Sequence, residues 1–215
     1  MIRRALEHKA FQPASILDGR TAVPFIYKPG TSNVLFVLGE NGSGKSFFRR
    51  VLHRDLHAQG VELVHWSIEA RTNSPFAQLM YGSEREASTG FNSTKALQGG
   101  LRTAASRPSV LYCDEPDVGM SNALAKCSGE HFAKQLTEHW NPNIKSCCIT
   151  SHSTHFLTPL LHGFDPHYLY LGDSEGPASI QEWLLEQQNP RTINLEDFQN
   201  KHRQRRSDIS KLLRD

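Results

Sequence analysis

A chain of 215 residues, 38% of them hydrophobic, is long enough for one globular domain with a real core, and a single domain over residues 1–215 is the expectation. Its 24 Lys and Arg nearly balance 22 Asp and Glu, so the net charge of +2 commits it neither to nucleic acid nor to a membrane surface. No apolar run approaches the ~18 residues of a membrane span. The N-terminal Arg3, Arg4, Glu7, His8 and Lys9 form no signal-peptide core, and the expectation is a soluble, cytoplasmic protein without membrane insertion.

In chain order, Ala22 to Tyr27 reads as a strand at a sheet edge, followed by the continuous apolar run Asn33 to Leu38, which suits a strand buried on both faces. Phe48, Val51, Leu52 and Leu56 then recur at helical spacing, with Gly60 placed as a C-terminal cap. Val61 to Ser67 is the next strand. The stretch from Ile68 to Thr94 is polar, contains Pro75 and has no clear period, so it is an insertion or a functional loop. A helix is expected over Lys95 to Ser106, and strands over Ser109 to Cys113, Lys145 to Thr150 and His167 to Leu171. The tail from Leu195 onward is charged, and Leu195, Phe198, Ile209 and Leu212 make no continuous stripe, which predicts a weakly docked helix. Strands alternating with helical segments describe an α/β domain with a mostly parallel sheet. Cys113, Cys127, Cys147 and Cys148 show no metal-ligand spacing, and Cys113 and the adjacent pair read as small buried hydrophobes.

Gly39-Glu40-Asn41-Gly42-Ser43-Gly44-Lys45-Ser46 fits GxxxxGK[ST] between a strand and a helix, the context that the motif requires. Glycines let successive N–H groups turn inward on a phosphate, and the following helix adds the positive end of its dipole. The nucleotide cradle therefore comprises Gly39, Glu40, Asn41, Gly42, Ser43, Gly44, Lys45, Ser46 and Phe47. Lys45 would reach the β- and γ-phosphates of ATP, and the Ser46 hydroxyl would ligate Mg²⁺. Downstream, Val110 to Cys113 runs into Asp114-Glu115-Pro116, two carboxylates where ligands of open parallel sheets sit. Asp114 would hold Mg²⁺ through its waters, and Glu115 would serve as the base for the attacking water. The strand ending at Thr150 feeds Ser151-His152-Ser153 to the same rim; His152 is the candidate phosphate sensor, with His155 as the alternative.

Together, the phosphate loop, the Asp-Glu-Pro strand, Asp117-Val118-Gly119-Met120-Ser121 and the strand followed by Ser-His resemble the nucleotide-binding domains of ABC-type ATPases over roughly Val34 to Leu171. The resemblance implies a P-loop NTPase fold with a reduced helical insertion at about 68–106. It makes Asp114 the Walker B aspartate, Glu115 the catalytic base, Asp117 to Ser121 a D-loop and His152 the switch histidine. It also implies a head-to-tail homodimer formed on ATP binding, with a signature loop of one copy at the γ-phosphate of the other. No intact LSGGQ is present; the equivalent place is Ser88 to Thr94, with Ser93 or Ser88 as candidates. Gln78 is the candidate Mg²⁺-ligating glutamine, and Phe25 or Tyr27 the candidate base-stacking aromatic. A stand-alone ATPase acting on a macromolecular partner in DNA maintenance or defence fits the short interval from Ser46 to Asp114. The alternatives are a transporter nucleotide-binding subunit and a non-hydrolysing nucleotide switch. The basic tail leaves nucleic-acid binding open beside a solvated helix.

Overall fold

Residues 34–39 (Val-Leu-Phe-Val-Leu-Gly) have no polar side chain to offer solvent, and all six are buried in the computed structural model. The structure describes residues 5, 7, 25–28, 32–67, 88–172, 177–190 and 192–212. In chain order the elements are β1 (Phe25–Lys28), β2 (Val34–Gly39), α1 (Lys45–His57), β3 (Glu62–Trp66), α2 (Thr89–Ala105), β4 (Ser109–Asp114), α3 (Asn122–Glu138), β5 (Ile144–Thr150), α4 (Thr154–Leu161), β6 (His167–Leu171), α5 (Ile180–Gln188) and α6 (Leu195–Leu212). The strands form one sheet in the order β1-β6-β2-β5-β4-β3, with the expected edge strand at its edge. β2 with β5, β5 with β4 and β4 with β3 pair in parallel. Parallel neighbours need crossover connections, and α1, α2 and α3 supply them between β2 and β5 along the chain.

The chain divides into two compact units. The larger holds Tyr27–Leu38 and Leu56–Leu169, hence most of the sheet. Its core is Val110, Leu111, Tyr112 and Cys113 on β4 and Cys147, Cys148 and Ile149 on β5, all with no exposed surface. Register sets Phe36 and Cys113 both opposite Ile149, and Asp114 opposite Thr150, so the carboxyl ends of β5 and β4 lie level. α2 packs on β3 and β4, and α3 packs on α4. The last contact is close because α3 carries Gly129, where a Cβ would lie 2.3 Å from the Phe156 carbonyl oxygen. Phe132 and Phe156 then meet with ring centroids 6.2 Å apart.

The second unit holds Met1–Ile26, Gly39–Asp55 and Tyr170–Asp215, and so contains the phosphate loop, most of α1, and both α5 and α6. α5 is capped by Ser179, whose hydroxyl accepts from Glu182 N at 3.1 Å, and it buries Trp183. α6 is capped by Asn194, whose Oδ1 accepts from Glu196 N at 2.9 Å, and Glu196 and Asp197 complement its dipole. Among its described side chains only Phe198 is half-buried; the rest are exposed, as a helix without an apolar stripe must be.

Boundaries of β2 to β5 differ from the sequence expectation by a residue, and one helix boundary differs by more. The helix expected from Lys95 starts at Thr89, capped by Ser88, whose hydroxyl accepts from Phe91 N. Its first turns bury Gly90, Asn92 and Ser93, small or polar side chains that leave no hydrophobic period to read.

Candidate functional site

β2 ends at Gly39, and the chain turns there because it has to. A Cβ on Gly39 would lie 2.0 Å from the Leu171 carbonyl oxygen, and Gly42 and Gly44 adopt φ of 75° and 107° in the left-handed region. Ser43 N donates to the Glu40 carbonyl at 3.1 Å to close the loop, and α1 begins at Lys45. Lys45 is buried, and its Nζ donates to the carbonyls of Gly39 at 2.8 Å and Glu40 at 3.1 Å. A cation buried against its own loop is poised to exchange weak carbonyl partners for a charged phosphate. Ser43 is 1% exposed, and its hydroxyl has no hydrogen-bond partner among the described residues. Such a group costs about 1–3 kcal/mol until an acceptor or donor arrives. A phosphate oxygen suits it. Ser46 is exposed on the first turn of α1, free to reach a cation, while Phe47 is buried as a core side chain.

The acidic end of β4 lies in the larger unit and is organised by Thr150. The Thr150 hydroxyl donates to Asp114 Oδ1 at 2.6 Å and accepts from Glu115 N at 3.1 Å. Glu115 N also donates to the Thr150 carbonyl at 3.0 Å. Pinned on both sides, Glu115 is held at φ 51°, the one non-glycine residue at positive φ among those described. Such a conformation costs of order 1–3 kcal/mol in a non-glycine residue, and strain of this kind gathers at functional sites. His152 Nε2 lies 3.5 Å from Glu115 Oε1, each side chain about one-third exposed. His155 is exposed on α4, and no contact joins it to the acidic end.

Behind this pair, Asp117 accepts from Ser151 Oγ at 2.7 Å, and Ser153 N donates to the same hydroxyl at 2.9 Å. Burial pushes the Asp117 carboxyl above its ordinary range, offset in part by the Ser151 bond and its own backbone, with the Glu115 charge adding to the rise. His65 on β3 brings Nε2 to 3.7 Å from Asp114 Oδ2. Neither Thr150 nor His65 was foreseen. Thr150 carries a signal only in register, as the strand-end hydroxyl opposite Asp114.

Of the signature candidates, one is turned inward and the other caps a helix. Ser93 is fully buried and donates to the Val118 carbonyl at 3.0 Å, while Ser88 is an N-cap. Ser93 thereby fastens α2 to the Asp117–Ser121 turn of its own chain. Gln78 lies outside the described residues, and the side chains of Phe25 and Tyr27 do too. Among the described residues no group of three or more His, Cys, Asp or Glu gathers as a metal site. No described helix is long and apolar enough to cross a membrane.

Residues 26–120 match the model of the Sigma-54 interaction domain, a family of P-loop ATPases of the AAA+ class. The fold is that of a P-loop NTPase. The match runs through the phosphate loop and the Asp114-Glu115 strand end and stops before Ser151-His152. It supports the P-loop ATPase superfamily without singling out the ABC-type branch. No curated protein matches the chain.

Proposed function

We propose that the chain is one ATPase domain that binds ATP with Mg²⁺, hydrolyses it to ADP and phosphate, and uses the cycle to act on a macromolecular partner. The observation that carries this reading is the Glu115–His152 pair, set at the level carboxyl ends of β4 and β5 and fixed from behind by Thr150. β2, paired with β5 from Val34 to Phe36, leads along the chain into the phosphate loop. The strand order also reverses at β2, the place where open parallel sheets take their ligands.

In this reading Lys45 and the loop N–H groups hold the β- and γ-phosphates, and Ser46 and Asp114 hold Mg²⁺, which neutralises charge on the phosphates. Glu115 accepts a proton from the water whose oxygen attacks the γ-phosphorus, while the bond from that phosphorus to the β,γ-bridging oxygen breaks toward ADP. His152 orients that water or the γ-phosphate. The intact Glu115 argues against a switch that never hydrolyses. The ABC-type arrangement, two copies closing head to tail over ATP, remains our proposal for the working unit; Ser-His after β5 and the Asp117–Ser121 turn support it. A transporter subunit is disfavoured by the short span between Ser46 and Asp114. The Sigma-54 interaction match favours a protein as the partner.

Glu115→Gln tests the base. Turnover should fall about 10²- to 10⁴-fold with nucleotide affinity kept, and light scattering should record a dimer that persists with ATP and Mg²⁺. Undiminished turnover would remove Glu115 from the mechanism, and an assembly larger than a dimer would remove the ABC-type arrangement.

A further inference from the structure

The phosphate loop does not stand alone within its unit. Gly42 faces the ring of His202 on α6: a Cβ built there would lie 2.6 Å from His202 Cδ2 and 3.4 Å from Nε2. The imidazole therefore rests on loop backbone that only glycine leaves open. Phe198, one turn earlier, places its ring centroid 6.4 Å from that of His202. It is the half-buried residue of a helix otherwise exposed wherever its side chains are described, so α6 is fastened to its unit at a narrow point. An 18-residue helix with so little buried apolar surface is marginal by itself.

Charge says which way this contact works. Lys201-His202-Arg203-Gln204-Arg205-Arg206 contains four cationic residues and no carboxylate. The loop beside it is itself an anion seeker, with Lys45 buried beneath and the positive end of α1 behind. Two positive elements repel until an anion lies between them. A plug that shut the loop against phosphates would call for carboxylates on α6 at this place, and the segment has none.

We propose that α6 is a nucleotide-dependent clamp on the phosphate loop, with His202 a further residue that contacts the bound polyphosphate. The inference rests on the loop's binding ATP and extends that reading to how the nucleotide is retained. Phosphate binding and α6 docking then favour each other, and the coupling is reciprocal. It also weakens with salt, as attractions between charges do when mobile ions screen them.

Trypsin cuts after Lys201, Arg203, Arg205 and Arg206 only when α6 opens, which gives a direct readout. Cleavage in α6 would be followed by mass spectrometry with and without ADP and Mg²⁺, and affinity measured in parallel with a fluorescent ATP analogue, for the full chain and for His202→Ala. Nucleotide should slow α6 cleavage, and His202→Ala should bind about five- to tenfold more weakly and lose the protection. Tighter binding by His202→Ala would overturn the proposal in favour of a competing plug. Unchanged cleavage and unchanged affinity, with nucleotide demonstrably bound, would overturn it while leaving the ATPase reading intact. Absence of any binding by the unaltered chain would overturn both.

Discussion

Thr150 uses one hydroxyl to hold both carboxylate positions, donating to Asp114 and accepting from the backbone of Glu115. Asp117, just beyond, is a different kind of residue. Its carboxyl is raised by burial, so the folded state binds its proton more tightly than the unfolded chain does. Its contribution to stability is whole below the ordinary carboxylate pKa and is lost as pH rises through the elevated folded value. At neutral pH the ionised side chain is thus a liability. Asp117→Asn keeps an oxygen for the Ser151 hydroxyl and removes the charge, so its melting temperature should exceed that of the unaltered protein at pH 7 to 8. The gain should vanish below about pH 4, where both carry a neutral group; a gain that persisted in acid would refute burial as the cause. Asp114, Glu115 and His152 were legible in the sequence because each ends an apolar run. Thr150 was not, since a β-branched residue at the end of a strand looks like any other.

At the level of elements, the close approach of α3 and α4 depends on Gly129, a residue that weakens an isolated helix. Gly129→Leu would drive its side chain into the Phe156 carbonyl and separate the helices, at a cost of about 1–3 kcal/mol. Urea denaturation would register this as a lower midpoint; an unchanged midpoint would mean that α4 shifts without penalty. β2 to β6 were legible almost to the residue, because strands buried on both faces are continuous apolar words. The start of α2 was not, since it buries Gly90, Asn92 and Ser93. Cys147 and Cys148 read correctly as core: burial pushes both thiols well above their usual range, with a hydrogen bond to the Cys113 thiol adding to the rise at Cys147. Alkylation of the folded protein at pH 8 should therefore reach exposed Cys127 and spare the other three.

For the molecule as a whole, a ligand that binds only the folded state stabilises it by mass action, about 2.7 kcal/mol at a hundredfold excess over Kd. MgATP should raise the melting temperature of the intact chain, and Lys45→Ala should lose most of that shift while melting normally without nucleotide. An equal shift in the variant would detach Lys45 from the phosphates. The left-handed backbone at Glu115 sets these two quantities, heat resistance and turnover, against each other. Glu115→Gly relaxes the residue, and the protein should unfold at higher temperature by an amount worth about 1 kcal/mol, while losing the base we propose. A breeder who selected only for survival after heating would arrive at position 115, keep the change as an improvement, and be left with a sturdier molecule that, on the function we propose, no longer turns over.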